Sequence, residues 1–285
     1  MAEFEGRDPS PLPPRGILWR APANANLAHD RRLPAPALRG LVEHYWSVRW
    51  DLRGEEPFVQ ETLPHPSVHW VTENGRSEVR GLASGRFTVT LAGEGRVFGV
   101  KFRPGGFFPF YRRAVAGLAE QRLELGDAFG PDGTRLAQEL AVLDGTETLA
   151  GRAADELLME LAERFLLERL PSADPQVEVV QEIVAAMQED REITRVETAA
   201  RRFGLHTRAL QRLFADYVGT SPKWVIQRYR LLEAVERVAA GEVVSWVDLS
   251  IELGFFDQAH FIRQFKALVG ATPADFARAH LAGPR

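Results

Sequence analysis

The 285-residue chain contains no cysteine. That excludes disulfides, zinc sites built on thiolates and any thiol nucleophile. It also suits a reducing compartment, so a cytoplasmic location is the expectation. No run of about 18 apolar residues is present, and no membrane span is expected. The first residues, MAEFEGRDPSPLPPRG, lack the apolar core of a secretory signal. Positive charge in excess is missing too: 35 Lys and Arg stand against 39 Asp and Glu, a formal net charge of −4. That total argues against a nucleic-acid partner unless the basic residues are segregated along the chain.

What is present is ordinary globular material, 45% hydrophobic and 26% charged, long enough for about two domains. Residues 1 to about 35 are rich in Pro, Ala and Arg without a period and read as an arm with little structure of its own. From about 57 to 104 the pattern is that of strands. In RVFGVKFRP, Val97, Gly99, Lys101 and Arg103 point one way and Phe98, Val100 and Phe102 the other. RFTVTLAGEGRVFGV reads as two strands around a Gly-Glu-Gly turn, and LPHPSVHWVTENGRSEVRG as a strand pair joined at Asn74-Gly75. Helical patterning follows, with a strong amphipathic helix at 147–170 that PSADP (171–175) stops. Everything after Pro175 reads as helix. The expected fold class is α+β. A β-rich, barrel-like domain with flanking helices fills 1–170, 171–177 is a linker, and 178–285 is an all-α domain.

The C-terminal region repeats itself. LQRLFADYVGTSP (210–222) aligns on FIRQFKALVGATP (261–273) at a single offset. Each copy follows a short apolar helix and a glycine: VETAARRFGLHT, with His206 and Thr207 as cap candidates, and WVDLSIELGFFDQ, with Asp257 as N-cap. Helix, glycine turn and second helix make a helix-turn-helix unit. PKWVIQRYRLLEAVERVAAG joins the two units as a linker helix. On the first of these second helices, Leu210, Leu213, Phe214 and Tyr217 form the apolar stripe, opposite Arg208, Gln211, Arg212 and Ala215. On the second, Phe261, Phe265 and Leu268 lie opposite Ala259, His260 and Arg263. Arg and Gln can make paired hydrogen bonds to base edges, and the first turns of such a helix are where the bases are met. Between 201 and 230, Arg201, Arg202, Arg208, Arg212, Lys223, Arg228 and Arg230 face a single acid, Asp216, an excess that would neutralise several phosphates. Either helix alone would read as a solvated amphipathic face. Two copies in register, beside a local basic stretch, favour DNA.

GFFDQAHFIRQFKALVGATPADFARAH and AARRFGLHTRALQRLFADYVGTSPKWVIQRYRL carry a resemblance to the AraC/XylS-type DNA-binding domain, over the C-terminal ~105 residues. Two departures are small: Ser250 stands where Ala is common, and Ala277 where Arg is common. The resemblance implies a unit that places two recognition helices in successive major grooves. The base-reading positions it implies are Arg208, Gln211 and Arg212 in the first unit and Ala259, His260 and Arg263 in the second. The helix starts near Thr207 and Gln258 would meet phosphates. It further implies a role in transcription, as activator or repressor. LPHPSVHWV and FGVKFRPGGFFPF resemble an uncharacterised β-rich domain found ahead of such domains. By analogy, that domain senses a small molecule or holds a dimer.

Aromatic residues crowd the first half. Tyr45, Trp46, Trp50, Trp70, Phe98 and Phe102 are the candidate lining of an effector pocket, and the alternative is that they are simply core. His65 and His69 invite a metal, but four strand residues separate two ligands by roughly 13 Å, and no third ligand is evident, so neither a metal nor a cofactor is expected. The expected partners are double-stranded DNA, a small-molecule effector and, through the 147–170 helix, a second copy in a homodimer. The chain is expected not to be an enzyme: alkyl-transfer DNA repair on a similar helical domain needs a cysteine. Two alternatives stand beside the leading reading. One is an N-terminal half that only mediates protein contact. The other is a cupin-like metal-binding enzyme domain fused to a DNA-binding domain.

Overall fold

A computed structural model describes residues 18, 26–144, 151–242 and 245–281. Eight strands come first: β1 (Asn26–Arg32), β2 (Val42–Leu52), β3 (Phe58–Thr62), β4 (His69–Glu73), β5 (Arg76–Arg80), β6 (Phe87–Leu91), β7 (Gly93–Phe102) and β8 (Arg122–Glu124). They form an antiparallel sheet in the order β1-β2-β7-β4-β5-β8 and a separate pair, β3-β6. Asn74 and Gly75 take φ of 52° and 70°, the left-handed pair a tight β4–β5 hairpin needs.

Two expectations are corrected. The arm is not structureless throughout, because residues 26–32 form β1, an edge strand against β2. Its alternation was hidden by polar composition, and an edge strand needs only one partner. The Gly-Glu-Gly segment is not a hairpin turn. It opens β7 opposite Asp51 and Trp50 of β2, while β6 pairs with β3 in the other sheet. Ala92 is thus a corner where the chain changes sheets. The glycines serve packing: Gly95 lies across from Trp50 and Gly99 across from Trp46, and a Cβ at either would overlap the indole.

Helices α1 (Phe108–Tyr111), α2 (Leu125–Phe129), α3 (Pro131–Asp144) and α4 (Arg152–Glu168) cover one face of the large sheet. Trp70 meets Phe165 of α4 edge-on at 6.1 Å, and Phe129 meets Phe165 at 5.3 Å. Ser47 of β2 donates to Asp155 of α4 at 2.9 Å, and Arg49 pairs with the same carboxylate at 2.7 Å. The apolar stripe of α4 (Leu158, Ala162, Phe165, Leu166) is buried on its own domain. Residues 145–150, where the helix was expected to begin, lie outside the described residues.

The C-terminal half consists of α5 (Pro175–Glu189), α6 (Val196–Arg202), α7 (Thr207–Tyr217), α8 (Pro222–Ala239), α9 (Trp246–Glu252), α10 (Gln258–Val269) and α11 (Pro273–Leu281). Asp174, Ser221, Ser245 and Asp257 cap α5, α8, α9 and α10 by accepting backbone N–H bonds. One apolar core runs through both halves. Phe108 and Tyr217 pack with tilted rings 4.0 Å apart between centroids, and Gln181 of α5 donates to the Gly40 carbonyl at 2.7 Å. Arg228 of α8 donates to the Ser84 carbonyl at 2.5 Å.

Candidate nucleic-acid interface and cavity

In the first unit, α6 ends at Arg202 and Gly204 turns the chain at φ 65°. The Leu205 N–H returns to the Ala200 carbonyl at 2.9 Å, which closes the turn before α7. His206 holds the cap position, but neither its side chain nor that of Thr207 makes a cap bond. Leu210 and Phe214 are buried, while Leu213 and Tyr217 are half-buried, Tyr217 because it lies on Phe108. Arg208, Gln211 and Arg212 are exposed and make no hydrogen bond or ion pair among the described residues. Thr207 and Ala215 are half-buried.

The second unit repeats the design. Gly254 turns at φ 74°, against the Thr194 methyl, and the Phe255 N–H returns to Ser250 at 2.9 Å. Asp257 accepts the His260 N–H at 2.6 Å. Phe261, Phe265 and Leu268 are buried; Ala259 and Arg263 are exposed, and Gln258 is half-buried. His260 is placed differently from its neighbours. Its ring packs edge-on to Phe255 at 5.8 Å and its Nε2 lies 2.8 Å from Gln264 Nε2, so the imidazole is half-buried and already bonded. Ser250 fits where a small residue is needed: it is buried, and its hydroxyl donates to the Val247 carbonyl at 2.7 Å.

The basic stretch needs a correction. Arg228 and Arg230 are buried and pin the fold rather than facing solvent. Arg230 donates to the Met187 and Asp190 carbonyls, which ties α8 to the end of α5. Arg202 pairs with Asp190. Helical spacing alone could not separate a guanidinium that satisfies buried carbonyls from one that meets solvent.

On the face of the large sheet away from α4 lies a cavity of about 2180 Å³. Its walls come from β1, β2, β7, β4 and the β3–β6 pair, and across from them α5, α8 and α11 contribute Val184, Tyr229 and Arg278. Of the six aromatic candidates, Trp46 borders it. Tyr45, Trp70, Phe98 and Phe102 are fully buried, and Trp50 lies over Gly95. Strand alternation accounts for this: Trp46 and Val48 face the cavity, Tyr45 and Ser47 face α4. Apolar lining comes instead from Leu27, Phe58, Val71, Val89 and Leu91.

One end of the cavity is charged. Lys101 Nζ lies 2.9 Å from Glu43 Oε1, and His44 Nδ1 lies 3.5 Å from the same oxygen. Burial works to raise the Glu43 carboxyl, but the His44 hydrogen bond and the Lys101 ammonium outweigh it and hold the group well below the usual carboxylate range. Burial pushes Lys101 down, against the pull of Glu43. Burial, reinforced by the Lys101 charge, lowers His69 to about 3, so its ring is neutral. Arg31 adds a second cation on the same wall. His65 sits apart, edge-on to Tyr229 of α8 at 6.4 Å. Among the described residues no group of His, Asp and Glu has the arrangement of a metal site.

A family profile described as a helix-turn-helix domain matches residues 199–279, and one described as a domain of unknown function (DUF6597) matches 30–124. The probable transcription factor PqrA of Proteus vulgaris is 34% identical over 82 residues, 29% of this chain and 66% of that protein. The virulence regulon transcriptional activator VirF of Yersinia enterocolitica is 33% identical over 75 residues, 26% of this chain and 27% of its own. The chain thus spans just under two thirds of the first relative's length and about a quarter of the second's. Among solved structures, an apo form of ToxT from Vibrio cholerae aligns over 82% of this chain and 97% of its own, at 12% identity and a TM-score of 0.39. Two helix-turn-helix units behind a β-rich half define the class. These matches support an AraC-type regulator, with a domain of unknown function (DUF6597) ahead of the helix-turn-helix domain.

Proposed function

We propose that the protein is a sequence-specific DNA-binding regulator of transcription and not an enzyme. In this reading Arg208, Gln211 and Arg212 read one major groove, and Ala259 and Arg263 the next, with His260 acting as a packed neighbour that can release its Gln264 bond. The backbone at Thr207 and Gln258 takes phosphates. The observation that carries the reading is the pair of exposed polar faces, one on each second helix, whose side chains make no hydrogen bond or ion pair among the described residues. Selection of bound sequences from random duplex DNA tests it. The expected result is a bipartite motif over about two helical turns, with affinity falling steeply as salt rises. No enrichment at any salt concentration overturns it.

The cavity supports control by a small molecule. A ligand held there would touch the β-rich half and α5, α8 and α11 together, so it would bias how the DNA-binding half sits. The lining favours an apolar body against Phe58, Val89 and Leu91, with a negatively charged group toward Lys101 at the charged end. Thermal shift separates this from a half that only recruits a protein, because a ligand of the native state raises apparent stability. Apolar carboxylates should raise the melting temperature and their uncharged amides should not. Equal response to both, or to neither, refutes the charge selection.

A further inference from the structure

The two units are not the same length at the turn. In the first, Leu210 stands six residues beyond Gly204; in the second, its counterpart Phe261 stands seven beyond Gly254. Backbone bonds locate the addition. Leu205 and Phe255, each directly after the glycine, return their N–H to equivalent carbonyls, and His206 and Asp257 both occupy the cap position. The extra residue is therefore Phe256.

Phe256 is 92% exposed, the most exposed large apolar side chain among the described residues. The turn that carries it is held on both sides. Phe255 packs edge-on to Phe261 at 5.1 Å, Gly254 abuts Thr194, and Asp257 caps α10. Among the described residues none forms a ring contact or hydrogen bond with this side chain, and keeping a phenyl group in water forfeits the gain of burying it. Its position, one residue before the cap of the second recognition helix, is where such a helix begins to meet base edges. The next exposed side chain inside α10 is Ala259, also apolar. The corresponding stretch of α7 presents Arg208 instead.

We propose that Phe256, with Ala259, reads the 5-methyl groups of thymine, so that the second unit selects its half-site partly by apolar contact while the first relies on Arg and Gln. Phe and Ala are side chains suited to the thymine methyl, the one apolar feature of the major-groove code. This rests on the DNA-binding reading above and adds to it a residue and a base.

The test uses the full chain and the duplex it selects. The half-site read by α10 is the one whose base preferences disappear in Arg263→Ala. Each thymine there is replaced in turn by deoxyuridine, which removes only the methyl. Wild type should lose about fourfold in affinity at one or two positions, the equivalent of one buried CH₂. Phe256→Ala should bind the parent site more weakly, melt like wild type and be indifferent to the same replacements, with Phe256→Leu between the two. Wild-type indifference to every deoxyuridine overturns the proposal, as does a Phe256→Ala protein that stays as sensitive as wild type. Unchanged DNA binding by Phe256→Ala with lost transcription in a purified system would overturn it too, and would assign the ring, with exposed Val247 and Ile251 of α9, to a protein partner. If no duplex is selected at all, the DNA-binding reading itself fails, an outcome distinct from a selected site that ignores the methyls.

Discussion

Arg263 and Phe265 are two residues apart on α10 and should fail in opposite ways. Phe265 is fully buried, edge-on to Phe261 at 5.8 Å and to Phe276 of α11 at 5.7 Å. Truncation to Ala leaves a cavity between α10 and α11, and a buried Phe→Ala change costs about 3–5 kcal/mol. Total stability of a domain is only about 5–15 kcal/mol, so this is a large share of it. Arg263 is exposed and makes no hydrogen bond or ion pair among the described residues, so Arg263→Ala should change stability by no more than about 0.5 kcal/mol. Its loss should instead weaken binding to the cognate site by about 1–3 kcal/mol and relax preference at one base pair. The assay is a pair of measurements on each variant: a denaturant or thermal melt followed by circular dichroism, and a binding isotherm at fixed salt. Two results refute the assignment of faces. One is a Phe265→Ala protein with an unchanged melt. The other is an Arg263→Ala protein that binds the cognate site as tightly as wild type.

Three further outcomes are expected. Gly99→Ala forces a methyl into the Trp46 indole and should cost about 1–3 kcal/mol by overpacking, read from the denaturation midpoint; a neutral result would mean the indole has room to move. His69 is held at about 3 in the fold against about 6.5 unfolded, so the unfolded chain takes up the proton first as pH falls. Its contribution is complete above pH 6.5 and should decline by up to about 1.4 kcal/mol per pH unit on acidification below that, and His69→Gln should flatten the slope; an identical slope in the variant refutes it. Arg228→Met removes the bond to the Ser84 carbonyl and leaves that oxygen without its donor, a loss of about 1–3 kcal/mol that should show as faster protease cleavage between the two halves; unchanged cleavage would mean the other contacts suffice.

The C-terminal half was largely legible because its determinants are local. Caps at Ser221, Ser245 and Asp257, glycines at 204 and 254, and apolar residues three and four apart each act within one or two turns, and a chain reads them in order. The β-rich half depends on partners far away in sequence. β6 looks like the natural mate of β7, its neighbour across Ala92, yet it pairs with β3. The aromatic candidates show the same limit. Composition pointed to Tyr45, Trp46, Trp50, Trp70, Phe98 and Phe102 together, but only pleat and register decide that Trp46 faces the cavity while Tyr45 faces α4. A usable clue was the pairing of Trp46 and Trp50 with Gly99 and Gly95, small residues spaced four apart on one strand to match indoles spaced four apart on the next. Seeing it requires the β2–β7 register.

Buried charge is the least legible feature, and it bears on how the halves communicate. Arg228 and Arg230 are two apart on α8 and look alike in sequence, but one reaches the β-rich half and the other ties α8 to α5. A guanidinium this buried persists only where acceptors take its protons, the Ser84 carbonyl for Arg228 and the Met187 and Asp190 carbonyls with the Glu233 carboxylate for Arg230, since an unpaired charge would be far costlier. Each therefore reports a contact that must form for the fold to close. Tyr217 at the end of α7 does the same by packing on Phe108, and Gly219, at φ 90°, admits Val115 where a Cβ would come within 2.8 Å of its Cγ1. Helix α7 is thus held at its C-terminal end by the β-rich half, while Arg208 and Gln211 nearer its N-terminus stay exposed. The N-terminal end of α7, which carries the proposed base-reading residues, is therefore the part of the proposed DNA interface tied to the β-rich half through the same helix.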